Sequence, residues 1–190
     1  MTVSDAVGPV KSNVLVTGAP PSIEYVTPGL ALDAGFERPY AGPAGSRGSF
    51  LYRPTGSAWT FAGSAGVSAN GSGFTAGNPP APQGAQVAFL QGGAGSTISQ
   101  QVAGWADGSY ALDFKAAQRG NYQTGGYQDF DVLIDGIVVE TFRPADTTYR
   151  SYTTVPFHVT AGAHTIAFRG RNSAGGDNSA FLDEIRIRLV

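Results

Sequence analysis

Within a few positions, Gln118-Arg119-Gly120-Asn121-Tyr122 gathers two amides, a guanidinium and a phenol ring where an apolar strand pattern ends. Amides donate and accept hydrogen bonds together, Arg donates through a planar fork, and Tyr offers a face for stacking. That combination suits an uncharged ligand with many hydroxyl groups and apolar C–H faces, in other words a sugar. The competing reading is internal: Arg119 pairs with a carboxylate such as Asp129 and locks the loop. Gln91, where the run Val87-Ala88-Phe89-Leu90 ends, either adds an amide to the site or satisfies loop backbone. Phe74, in the Gly-rich stretch Asn70-Gly71-Ser72-Gly73-Phe74, is either an exposed stacking platform or a plug in the core. Trp105, beside Ala106-Asp107-Gly108, is either a further exposed platform or a ring turned inward, while Trp59 alternates with Phe61 and reads as core.

A second candidate chemistry is cation binding. Phe181, Asp183, Ile185, Ile187 and Leu189 share one parity of the last strand, which puts a carboxylate on an apolar face. A buried carboxylate must be neutralised, paired or bound to a cation. Glu37 follows Phe36 at the opening strand, which in a sandwich commonly lies beside the last. Two hard oxygen ligands, supplemented by backbone carbonyls, suit Ca²⁺ rather than a transition metal. The alternatives for Asp183 are an Arg partner or a capped turn.

Catalytic constellations are not evident. There is no cysteine, so there is no thiol nucleophile, disulfide framework or Cys-ligated zinc. His158 and His164 fall in separate strand patterns without a nucleophile elbow, and no HExxH, phosphate-loop or dinucleotide motif occurs. Arg38 to Ala106 contains no Asp or Glu, so a carboxylate-pair hydrolase would have to draw both groups from the rest of the chain. The polar stretch Arg171-Asn172-Ser173-Ala174-Gly175-Gly176-Asp177-Asn178 reads as a loop whose Asp and Asn hold a turn.

The elements that must position these residues are strands. Only 14% of the 190 residues are charged, with a net charge of -2, which leaves no electrostatic footprint for nucleic acid or anionic lipid. With 27 glycines, 12 prolines and 42% hydrophobic residues, the chain fits many short strands joined by tight turns. Nothing approaches the ~20 continuous apolar residues of a membrane span. Strand patterns recur at 57–63, 85–91, 97–102, 109–118, 129–134, 137–142, 153–159, 164–169 and 181–190. Asp135-Gly136 is the clearest hairpin turn; Ala106-Asp107-Gly108 and Thr160-Ala161-Gly162 read as further hairpin-like turns. The expected class is an all-β sandwich of about eight to ten strands over 33–190. Residues 1–32, with Gly18-Ala19-Pro20-Pro21 and Pro28, read as an extended N-terminal arm or linker.

Six pieces recur in a familiar order: Gly35-Phe36-Glu37, Trp59-x-Phe61, Gln86 to Gln91, Ile98-Ser99-Gln100, Ala161-Gly162-x-His164-Thr165 and Asp177 to Asp183. Together, over 34–190, they resemble the galactose-binding-like β-sandwich domains of bacterial carbohydrate-binding modules. The resemblance implies an antiparallel jelly roll, often with a structural calcium, that binds sugar on a sheet face or at loop tips without catalysis.

The expected function is a non-catalytic carbohydrate-binding module that recognises a neutral glycan through Gln118, Arg119, Asn121, Tyr122, Gln91 and Phe74, with Glu37 and Asp183 as calcium ligands. The alternative is a structural or assembly component of a phage, filament or cell surface. Val14-Leu15-Val16 and Ile23-Glu24-Tyr25-Val26 would then add strands to a neighbour and mediate self-association. The opening MTVSDAVGPVKSNVLV lacks a signal peptide's basic segment and apolar run. The expected setting is therefore extracellular or cell-surface, as part of a larger exported protein, or a virion.

Overall fold

A computed structural model describes residues 29–92, 95–121 and 126–190. The expected all-β class holds: twelve strands among these residues form two antiparallel sheets of seven and five strands, stacked as a jelly-roll sandwich. The strands are β1 (Phe50–Tyr52), β2 (Thr60–Ala62), β3 (Ala65–Ala69), β4 (Gln86–Gln91), β5 (Thr97–Trp105) and β6 (Gly108–Gln118). They continue with β7 (Phe130–Ile134), β8 (Ile137–Phe142), β9 (Arg150–Thr153), β10 (Phe157–Val159), β11 (Gly162–Gly170) and β12 (Ser179–Leu189). The larger sheet runs β1-β3-β4-β12-β6-β10, with β9 also paired to β6; the smaller runs β2-β5-β11-β7-β8.

Inward residues of both sheets, Phe61, Leu90, Ile98, Leu112, Phe114, Phe130, Ile166, Phe168 and Leu182, make one core with Phe36 and Trp59 from the connecting segments. Both tryptophans are buried, so Trp105 is no platform; its indole donates to Val102 O (3.0 Å) and its ring meets Tyr110 edge-on. The larger sheet also carries a second apolar cluster, of Phe74, Val87, Phe89 and Phe181, with Phe50 and Tyr149 packed on it. Val87 and Phe89 alternate along β4 with the core residues Ala88 and Leu90, so this cluster lies on the sheet's other face. The loop between β3 and β4 covers that face and brings Phe74 onto Phe89, ring centroids 4.4 Å apart. A strand buried on both faces explains why β4 reads as an uninterrupted apolar run.

Asp135-Gly136 closes the β7–β8 hairpin with Ile134 opposite Ile137; both turn residues have positive φ, 50° and 81°, as this two-residue turn requires. The other two expected hairpins are corrected. Ala106-Asp107 joins β5 to β6, and Thr160-Ala161 joins β10 to β11, and in each case the strands belong to different sheets. These turns are corners of the sandwich. Alternation along a strand cannot tell a same-sheet neighbour from an opposite-sheet one.

The β12 parity is also corrected. The register with β6 shifts between Asp183 and Arg186, with Glu184 at φ 51°. This bulge moves the inward set from Ala180 and Leu182 to Ile185 and leaves Phe181 and Asp183 on the outer, loop-covered face. Residues 29–32, read from sequence as arm, pack on the sandwich: Ala31 is buried, and Gln100 both donates to Leu32 O (2.9 Å) and accepts from Leu32 N (2.8 Å). The arm's earlier apolar runs lie outside the described residues.

Candidate functional site

The sequence-expected ligand residues divide among different places. Gln118, on the last position of β6, is buried: Nε2 donates to Gln128 O (3.0 Å) and Pro144 O (3.2 Å), and Oε1 accepts from Gln128 N (3.0 Å). It fastens the crossing from β6 to β7 and offers nothing to a ligand. Phe74 is buried in the outer-face cluster, which settles it as a plug. Arg119 lies over that plug, only 4% exposed, with Cζ 4.2 Å from the ring centroid. Its Nη2 donates to Gly73 O (3.0 Å), its Nε to Asn121 Oδ1 (3.0 Å), and Asp177 stands 3.7 Å from Nη1. Asn121 completes the clasp through Nδ2 to Gly73 O (3.2 Å). Asp129, the partner expected for Arg119, instead takes Arg143.

Gln91 is half-buried between Asp177, to which its Nε2 donates (2.7 Å), and Tyr52, whose hydroxyl donates to its Oε1. Gln91, Arg119, Asn121 and Phe74 thus do come together, but as a clasp that pins the β3–β4 loop to the sheet. Tyr122 lies outside the described residues.

The two expected calcium ligands do not fit a cation. Glu37 accepts hydrogen bonds from Ala85 N (3.1 Å) and Gln86 N (3.2 Å). Asp183, fully buried, accepts from Gln83 N (2.8 Å) and Glu184 N (2.8 Å). A cation in either place would face the positive ends of N–H dipoles. Among the described residues no three His, Asp or Glu side chains gather as a metal site. The carboxylates are backbone anchors for the segment 83–86. Burial pushes Asp183 up to about 7 against those two donors, and the nearby Glu184 and Glu37 charges add to the rise.

The open site lies at the same end of the sandwich, where β6 crosses to β7 and β11 leaves for β12. A groove of about 450 Å³ is lined by Gly126, Tyr127, Asp129, Arg143, Arg171 and Asn172. Tyr127 keeps 51% of its surface exposed, and the Arg143 guanidinium stands 5.9 Å from its ring centroid. Asn172 fixes the chain beneath it: Nδ2 donates to Tyr127 O (2.7 Å) and its backbone N to Gln128 Oε1 (2.8 Å). Asp129 holds Arg143 through both oxygens (2.6 and 2.7 Å). Asp131, on β7 and buried, takes Arg169 (2.8 Å), Arg171 (2.9 Å) and Thr141 (2.7 Å). Burial raises the Asp131 pKa, but the bonds from Arg169, Thr141 and Arg171 outweigh it and hold the carboxyl below its ordinary range. The groove therefore presents a ring just before β7 and carboxylate-held guanidiniums just past the ends of β8 and β11. It can stack a pyranose ring and donate hydrogen bonds.

Sequence reading missed Tyr127. Its one signal is position: a ring directly after Gly125-Gly126 and before the alternation resumes at Phe130. Arg171 and Asn172 stood in a stretch read as a turn, because partners from β7 and the 126–129 segment are not adjacent in sequence.

No protein-family profile matches the sequence, and no curated protein matches it. Solved structures do. TmCBM61 in complex with β-1,4-galactotriose aligns at a TM-score of 0.50 and 17% identity, over 84% of this chain and 97% of that one. The β-sandwich fold of this chain is thus similar to that of this module. A family 35 module from Clostridium thermocellum aligns at a TM-score of 0.48 and 20% identity, over 70% of this chain and 93% of its own. A family 36 module in complex with calcium and xylotriose gives 0.46 and 18%, over 67% and 92%. At these identities the likeness is one of fold.

Proposed function

We propose that this protein is a non-catalytic carbohydrate-binding module whose glycan site is the groove at Tyr127. The observation that carries the reading is a half-exposed ring beside Arg171 and Asn172, on a sandwich whose solved counterparts bind oligosaccharides such as galactotriose. Aromatic rings supply large contact area at low entropic cost, and arginines donate to hydroxyl and carboxyl oxygens. The residues that line the groove orient and hold; none is set as an acid–base pair, since Asp129 is committed to Arg143. A glycan ligand of this kind fits an extracellular or cell-surface setting. A glycan array with the intact chain and Tyr127→Ala tests the reading: the parent binds a defined subset of glycans and the variant loses it.

A second reading, assembly through residues 1–32, has support at the opposite end. Leu30 and Leu32 enter the sandwich largely exposed, as does Leu189 at the end of β12. Size exclusion of the intact chain and of a chain starting at Gly29 tests it, since self-association lost with residues 1–28 is the expected sign.

A further inference from the structure

The guanidinium of Arg171 is held from one side only. Its Nη1 donates to Asp131 Oδ1 (2.9 Å) and to Thr141 Oγ1 (3.1 Å), while among the described residues Nε and Nη2 make no hydrogen bond. The side chain is 52% exposed and lines the groove beside Tyr127. Arg143 differs, because its Nε and Nη2 are both spent on Asp129, one cation against one carboxylate. Asp131 has no such exclusive partner: Oδ2 accepts from Arg169 Nη2 and Oδ1 from Arg171 Nη1. Two guanidiniums on one carboxylate leave unmatched positive charge at the groove. The Nε–Nη2 edge is also the edge that receives both oxygens of a carboxylate in parallel hydrogen bonds.

Resting on the reading of the groove as a glycan site, we propose that it selects anionic sugars, with a carboxylate or sulfate on the Nε–Nη2 edge of Arg171 and the sugar ring at Tyr127. Asp131 is then a positioning residue: buried, it holds Nη1 of this groove-lining side chain and leaves the Nε–Nη2 edge to the ligand. This departs from the neutral ligand expected from sequence, because the amides behind that expectation, Gln118 above all, are spent on backbone.

The test uses the intact chain and matched oligosaccharide sets in carboxylated, methyl-esterified, neutral and sulfated forms. The carboxylated form is expected to bind about tenfold tighter than its ester and its neutral counterpart, the worth of a charge-assisted hydrogen bond. That advantage shrinks as salt rises. Arg171→Gln removes the advantage, so that the carboxylated form binds no tighter than its ester and its neutral counterpart. Arg171→Lys, which keeps the charge without the fork, restores only part of it. Sulfated forms that match or exceed the carboxylated ones identify sulfate as the source of the charge. Equal binding of the carboxylated, esterified and neutral forms to the parent overturns the anion preference while the glycan site stands. Silence of all forms overturns both.

Discussion

The guanidinium of Arg119 lies 4.2 Å over the ring of Phe74, and both side chains are sealed from solvent. Cation and ring hold the β3–β4 loop against the larger sheet, and Gly73 O takes hydrogen bonds from both Arg119 and Asn121. Arg119→Ala is expected to lower stability by roughly 2–4 kcal/mol, from a desolvated cation–π contact and a lost charged hydrogen bond. Urea unfolding measures it. An unchanged midpoint would contradict the clasp.

The β3–β4 loop and the 119–121 segment also meet backbone to backbone. A Cβ at Gly120 would come within 2.1 Å of Gly77 O, so no side chain fits there. Gly120→Ala is expected to cost roughly 1–3 kcal/mol in the same assay. Gly45, with nothing within 4 Å but a positive φ of 79°, serves as a comparison in which only backbone strain acts.

Glu37 and Asp183 anchor the segment 83–86 through backbone N–H groups. Glu37→Ala is expected to lower the melting temperature by the same amount in added calcium and in a chelator. A loss confined to calcium-containing buffer would mean that the pair serves a cation after all.

Asp183 makes stability depend on pH with a definite sign. Its folded pKa, raised to about 7 chiefly by burial, lies above the ordinary value near 3.9. Between those limits the folded state binds more protons, so its contribution falls as pH rises from about 4 to about 7 and is level beyond. Asp183→Asn should flatten that part of a melting-temperature profile. A parent profile rising steadily over the same range would contradict it.

A titrating pair links the β7–β8 turn to β11, where His164 Nδ1 lies 2.6 Å from Asp135 Oδ2. The Asp135 hydrogen bond raises the His164 pKa, and despite burial Asp135 itself is lowered by His164 and Thr165. The histidine's contribution is complete below about 6.5 and lost as pH rises through its folded pKa; the aspartate's is complete above about 3.9 and lost on acidification. Asp135→Asn should therefore destabilise most between about pH 4 and 6.5 and least at pH 8. An effect independent of pH would show that only the turn's backbone matters.

Much of the architecture was legible because alternation records one buried face. The Asp135-Gly136 hairpin, β6 and the apolar β4 were readable in that way. β3, Ala65–Ala69, was not: its Ala-Gly-Val-Ser-Ala sequence has little apolar contrast, and Gly66 sits where a Cβ would strike Leu51 O. The bulge at Glu184 left no local mark either, and it reversed the face assigned to Asp183. Sequence reading grouped Gln91, Arg119 and Asn121, and the structure sets them as a clasp at the end of the sandwich where the Tyr127 groove also lies. It could not tell polar groups that hold backbone from polar groups that face solvent. That distinction depends on Gly73, Asp177 and Gln128, each distant in sequence from the residue it engages.

The central claim is that sugar is held at the groove and not at the clasp. Titration calorimetry with an array-identified oligosaccharide, on the parent, Tyr127→Ala and Gln91→Ala, tests it most directly. Tyr127→Ala should weaken binding by roughly 1–3 kcal/mol, as loss of a stacking ring does, with Gln91→Ala close to the parent. Full affinity in Tyr127→Ala, with binding lost in Gln91→Ala, would contradict the account.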